Sequence, residues 1–305
     1  MDTALTSVGL PLALAVVMFG LGLSLTVRDF ARIAREPRAV AVALATQVLL
    51  LPAACFALVL ALGLDPVLAV GMMLLAASPG GTTANLFSHL FRGDVALNIT
   101  LTAVNSVLAV LTLPVVVTLA IGWFEPPLGG ASVGLQFDKI AQVFAIVLVP
   151  VVLGMVVRRL APAFADRADR PVRVLSAVVL VLVIAGALLA EREDLGTYLA
   201  DVGVVTTLFC LASLAAGFLL PRLFRVGYRQ SVASAFEIGI HNSTLAIAVA
   251  LTVLGDERLA VPAAVYGVVM FPLAAGVGYV LARRAPAGEP TATAPRSGES
   301  PAGQR

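Results

Sequence analysis

Apolar residues in this chain fall in long unbroken runs, with neither the three-or-four spacing of an amphipathic helix nor the alternation of a half-buried strand. Broken at Pro, Gly and charge, the runs lie near 7–27, 38–62, 66–90, 94–121, 138–157, 171–190, 200–220, 230–254 and 259–282. A helix of about 20 such residues crosses the ~30 Å hydrocarbon core of a bilayer. The pattern predicts an all-α polytopic membrane protein of about nine transmembrane helices. Residues 1–284 would form the membrane unit. Residues 285–305, rich in Pro, Ala, Gly, Ser and Thr without an apolar face, are expected to form a disordered cytoplasmic tail.

Two runs break in the middle. The third passes from Val67 to Ala77 and then meets Ser78-Pro79-Gly80-Gly81-Thr82-Thr83 before resuming at Ala84. Eleven helical residues rise about 16 Å, which puts the break near mid-bilayer. Pro79 lacks an N–H, Gly80 and Gly81 tolerate non-helical angles, and Thr82 or Thr83 can cap a restarting helix. The eighth run repeats the device at Glu237-Ile238-Gly239-Ile240-His241-Asn242-Ser243-Thr244. Unwound backbone survives at membrane depth only where protein encloses it. Two breaks five runs apart, each followed by Gly-Asp (Gly93-Asp94, Gly255-Asp256), predict an inverted repeat of the kind secondary transporters use.

Composition agrees: 60% of residues are hydrophobic and 12% charged, against about 25% charged in soluble domains. Seventeen of the twenty Lys and Arg fall on one side of the nine runs, leaving Lys139, Arg192 and Arg258 on the other. That bias predicts an outside N-terminus and a cytoplasmic C-terminus in the cell's inner membrane. Met1 to Ser7 lack a basic region, so no cleaved signal peptide is expected. Cys55 and Cys210 lie within apolar runs and suggest neither a disulfide nor a transition-metal site.

Of eighteen acidic residues only Glu237 sits well inside a run, with no Lys or Arg in the runs to pair with it. A charge at the bilayer centre costs about 3 kcal/mol, so a cation or proton is its natural partner. Asn98, Thr102 and Asn105, at i, i+4 and i+7, share a helix face. With Gln47, Asn85, His241 and Asn242 they supply the oxygen-rich polar set that a hard cation needs. The restarting half-helices at Thr82-Thr83 and Asn242-Ser243 present positive dipole ends suited to an anionic substrate.

With these features in place, the chain resembles the bile acid:sodium symporter family. The likeness runs from FGLGLSLTVRDF at 19–30, through SPGGTTANLFSHLFRGDVALN at 78–98, to FEIGIHNSTLA at 236–246. The resemblance implies two crossed broken helices, a core domain of spans 2–4 and 7–9, and a panel domain of spans 1, 5 and 6. It implies sodium-coupled symport of a bile-acid-like or small-carboxylate anion by alternating access. It also implies one sodium site at Asn85, Asn98, Thr102 and Glu237, and a second at Gln47, Glu237, the carbonyls of Ile238 and Ile240, and His241. Ala84 and Asn98 stand where the family usually has serines, His241 where it has glutamine, and Met270-Phe271 where some members have a polar pair.

Two alternatives remain open at this stage: proton coupling through Glu237 and His241, or a membrane sensor without transport. An enzyme is not expected, because no HExxH motif and no suitable catalytic pair is present. The expected partners are sodium ions, a small organic anion and the lipid bilayer. No cofactor and no nucleic acid is expected.

Overall fold

The computed structural model describes residues 15–16, 19–20, 22–23, 32–81, 83–127, 149–150, 152–168, 171 and 195–285. The expected panel spans lie largely outside these residues, and Thr82 and nearly all of the tail lie wholly outside them. The described residues are helical, without a strand.

The first long helix, α1 (Pro37–Ala61), opens with proline, whose fixed φ suits a first turn. Its middle widens into a π-turn at Thr46–Leu50, just before Pro52. Pro52 cannot donate to the carbonyl four residues back, and a wider turn accommodates that loss. Gln47 projects from this turn and is buried. After a connection that includes Gly63 at φ +61, Asp65 caps α2 (Pro66–Ala77) by accepting from the Val67 N–H at 2.9 Å. The chain leaves helix at Ser78, which is extended, and re-enters it in α3 (Thr83–Leu90). Asp94 then caps α4 (Val95–Phe124), accepting from the Leu97 N–H at 3.0 Å.

The second half of the described chain repeats the order. A long helix α5 (Leu195–Leu223) leads to α6 (Tyr228–Gly239). The chain unwinds at Ile240 and resumes in α7 (Ser243–Val249), which continues through a π-turn at Ala250–Leu254. Gly255 at φ +69 and Asp256, which accepts from the Arg258 N–H at 2.9 Å, turn the chain into a 3-10 turn and then α8 (Val261–Arg283). Both sequence-predicted breaks therefore occur, within a few residues of their expected positions.

Four of the described segments are long and apolar enough to cross a membrane: Pro37–Ala61, Val95–Phe124, Val202–Leu223 and Glu257–Arg283. The distribution of polarity is inverted relative to a soluble bundle. On α4, Val107, Leu111, Val115, Leu119 and Trp123 recur every fourth residue and are exposed, whereas Asn98, Thr102 and Asn105 are at most 3% exposed. An apolar stripe facing outward and a polar stripe facing inward is stable only when the surroundings are themselves apolar.

Candidate functional site

The site is built where the two breaks meet. Gly80 and His241 form an isolated antiparallel bridge. The Gly81 N–H donates to the Ile240 carbonyl at 2.7 Å and the Asn242 N–H donates to the Pro79 carbonyl at 2.8 Å. Each unwound segment thus satisfies backbone groups that its own helices cannot reach.

Gly80 and Gly81 lie outside helix, as the sequence predicts. Among the described glycines, positive φ occurs at Gly63 and Gly255, not at Gly80, Gly81 or Gly239. At Gly80 and Gly239 the absent Cβ also leaves space that a neighbour uses. A Cβ at Gly80 would collide with the Glu237 carboxyl group and lie 2.6 Å from the Glu237 carbonyl oxygen. Gly239 is the last residue of α6, not part of the unwound segment, and a Cβ there would run into Leu214 of α5. Its carbonyl accepts from the Tyr266 hydroxyl at 2.9 Å, so a distant helix holds the end of α6 in place.

Glu237 is fully buried. One carboxylate oxygen accepts from the Thr102 hydroxyl at 2.5 Å and the other from the Asn105 amide at 3.1 Å. The Gly80 backbone N–H also hydrogen-bonds to it. All three donors are neutral. Thr102 lies close to the Asn98 carbonyl as well, at 3.0 Å, so α4 presents Asn98, Thr102 and Asn105 to α6 as one strip. The Asn98 amide nitrogen donates to the Ala233 carbonyl at 2.8 Å and ties that strip to α6 one turn earlier.

Buried amide oxygens are in surplus near the first break and along α4. The side-chain amide oxygens of Gln47, Asn85, Asn98 and Asn105 are buried without a hydrogen-bond donor among the described residues. A buried acceptor left unpaired costs about 1–3 kcal/mol. Those of Asn98 and Asn105, on the strip that meets Glu237, make a poor structural network and good hard oxygen ligands. Among the described residues no three His, Cys, Asp or Glu side chains cluster as a metal site.

The remaining sequence-predicted residues are placed as follows. Gln47 reaches the first break, not Glu237: its amide nitrogen donates to the Ser78 carbonyl at 3.0 Å. His241 Nδ1 meets the same carbonyl at 3.2 Å. A carbonyl only accepts, so Nδ1 carries the proton and Nε2, buried and without a partner, holds the lone pair. The Ile240 carbonyl already accepts the Gly81 N–H, and Ile238 is fully buried. Thr83 begins α3. The Asn242 oxygen caps α7 by accepting from the Leu245 N–H at 3.1 Å, and the neighbouring Ser243 hydroxyl is buried without a partner. Asn105, on the shared face but outside the ligand sets implied by resemblance, turns out to touch Glu237 directly. The Ser78 carbonyl and Tyr266 had no signal in the sequence: every residue has a carbonyl, and Tyr266 arrives from another helix.

Comparison with known proteins shows the family. The model of the sodium bile acid symporter family matches residues 11–197, more than half of the chain. A Bacillus subtilis protein described as an uncharacterized sodium-dependent transporter, YocS, is 31% identical over 84% of this chain and 77% of its own length. A probable chloroplastic sodium/metabolite cotransporter of Oryza sativa subsp. japonica is 28% identical over 88% of this chain and 62% of its own. The human ileal sodium/bile acid cotransporter is 25% identical over 77% of this chain and 67% of its own. These relatives are transporters, and the chain belongs to the sodium bile acid symporter family.

Proposed function

We propose that this chain is a secondary carrier that couples sodium entry to symport of a small organic anion by alternating access. It would act in the cell's inner membrane, with its N-terminus outside and its C-terminus in the cytoplasm. The observation that carries the reading is Glu237, a fully buried acid bonded only to neutral donors, in a region where buried amide oxygens lack donors. A monovalent hard cation answers both deficits, because it neutralises the carboxylate and uses the surplus lone pairs. Glu237, Thr102, Asn98, Asn85 and Asn105 are the residues assigned to it.

The order of elements supports an inverted repeat. Each broken helix is followed by a glycine, a capping aspartate and a long apolar helix. The broken pair and its partner helices would form the core domain, and spans 1, 5 and 6 the panel. The half-helices starting at Thr83 and Ser243 would receive the anion, with Thr82, Asn242 and Ser243 at its carboxylate or sulfonate end. Transport work of this kind needs no bond-making chemistry at the site, and the relatives named above are carriers, not enzymes.

The test needs no substrate. Thermal unfolding of the detergent-purified protein is followed in sodium and in potassium at equal ionic strength, for wild type and Glu237→Gln. A ligand at ten times its dissociation constant stabilises by about 1.4 kcal/mol. A sodium-specific rise in Tm that disappears in the variant is the expected result. Equal Tm in the two salts for wild type would end the sodium reading.

A further inference from the structure

A narrow cavity lies beside the first break, between the middle of α1 and α4, with room for about one water molecule. Asn105, Ala109, Thr112 and Val116 line it from α4. Their spacing of i, i+4, i+7 and i+11 makes them one face of that helix. Gln47 and Pro52 line it from α1. A different face of α4 holds Val107, Leu111, Val115 and Leu119, which are exposed and apolar throughout.

The end of the cavity nearest Glu237 carries oxygen atoms that the fold leaves unused. Asn105 donates its amide nitrogen to Glu237 at 3.1 Å, and its amide oxygen is buried without a donor among the described residues. Gln47 is in the same position: its nitrogen donates to the Ser78 carbonyl at 3.0 Å, and its oxygen is buried without such a donor. The π-turn of α1 frees a main-chain oxygen as well. The Leu51 N–H donates to the Thr46 carbonyl and Pro52 has no N–H, so the Gln47 carbonyl loses the helical donors four and five residues on. Thr112 and Val116 are partly exposed, whereas Asn105 and Gln47 are buried. The lined face of α4 thus opens progressively from the buried acid toward the Phe124 end of the helix.

We infer that this cavity is the route by which a partly hydrated cation reaches Glu237, and that Asn105, which lines the cavity and touches the carboxylate, hands it over. The inference rests on the sodium reading above and deepens it by adding the ion's path. A cation entering a space about one water wide gives up most of its hydration shell. The hydroxyl of Thr112 and the oxygens of Gln47 and Asn105 replace those waters in turn, each too few to trap the ion. The apolar face of α4 offers no such replacement, and a bare charge there costs about 3 kcal/mol or more.

The test has two parts, both on the purified full chain. Thr112→Cys, Val116→Cys, Leu111→Cys and Val115→Cys are made in a background without Cys55 and Cys210 and treated with a cationic, water-soluble thiosulfonate. The reagent captures thiolates, a form that apolar surroundings suppress, so Thr112→Cys and Val116→Cys should react roughly 10-fold faster than the other two, or more. Equal rates at all four positions would overturn the inference. Thr112→Phe and Val116→Phe then narrow the cavity away from Glu237. Exchange of bound sodium, read from sodium NMR relaxation, should slow roughly 10-fold or more, while the sodium-specific rise in Tm stays at its wild-type size. Wild-type exchange in both phenylalanine variants, with that rise intact, would overturn the route and leave the sodium reading standing. No sodium-specific rise in wild type would overturn both. The thiol rates decide the question even if the phenylalanine variants do not fold.

Discussion

Gly80→Ala probes the link between the broken helices and the ion most directly. The added methyl would be placed on the Glu237 carboxyl group and 2.6 Å from its main-chain oxygen. Something must move, and the bridge to His241 holds the Gly80 backbone, so the carboxyl group is displaced from Thr102 and Asn105. Overpacking of this sort costs about 1–3 kcal/mol of stability. That loss alone is uninformative, because any crowded glycine would show it. The second term is specific: sodium at ten times its dissociation constant contributes about 1.4 kcal/mol, and a displaced carboxylate forfeits it. Gly71→Ala is the control. Its methyl would lie 2.5 Å from the Leu259 carbonyl oxygen and 2.9 Å from Pro262 Cγ, a comparable insult between α2 and α8 that does not touch Glu237. In thermal unfolding with sodium or potassium, both variants should start below wild type. Gly71→Ala should keep the sodium increment and Gly80→Ala should lose it. Retention of the full increment in Gly80→Ala would refute the placement of the ion at this carboxylate.

Three further expectations follow from the same contacts. Thr102→Val removes the hydroxyl from Glu237 at nearly constant volume; a buried hydrogen bond to a charged group is worth about 1.5–3 kcal/mol, so sodium affinity should fall roughly 10- to 100-fold in a binding titration. Tyr266→Phe strips the Gly239 carbonyl of its hydroxyl donor and should destabilise the protein by about 1–2 kcal/mol, with sodium still bound; an unchanged melting curve would show that this bond is dispensable. A membrane-impermeant maleimide should label Glu125→Cys on intact cells but Arg284→Cys only after permeabilisation, in a background without Cys55 and Cys210; the reverse pattern would invert the proposed orientation.

The broken helices were legible because each violates the rule its surroundings obey: a proline, a glycine pair or a run of capping residues has no other reason to interrupt twenty apolar positions. Glu237 was legible for the same reason, as a lone acid in hydrocarbon-length sequence. Periodicity also put Asn105 on the correct face, but spacing along a helix does not name the partner across it. What the sequence could not express was main-chain chemistry. The Ser78 carbonyl organises Gln47 and His241, yet its oxygen is the same as that of any residue. Gly80 leaves helix as the sequence predicts, but the space above its Cα that Glu237 uses depends on a residue from another helix. The orientation of the His241 ring depends on Phe209 and Tyr266, which come from two other helices.

The paired main-chain bonds at the crossing have a mechanical meaning. Parting Gly81 from Ile240 and Asn242 from Pro79 would strand four backbone groups at mid-membrane depth, each at a cost of several kcal/mol. The crossing therefore behaves as a rivet: the two discontinuous helices cannot scissor past one another, and in any working cycle they must travel as a single strut. The bending is left to the surface connections, where Gly63 and Gly255 already hold left-handed angles, and stiffening those joints should slow turnover without loosening the grip on the ion.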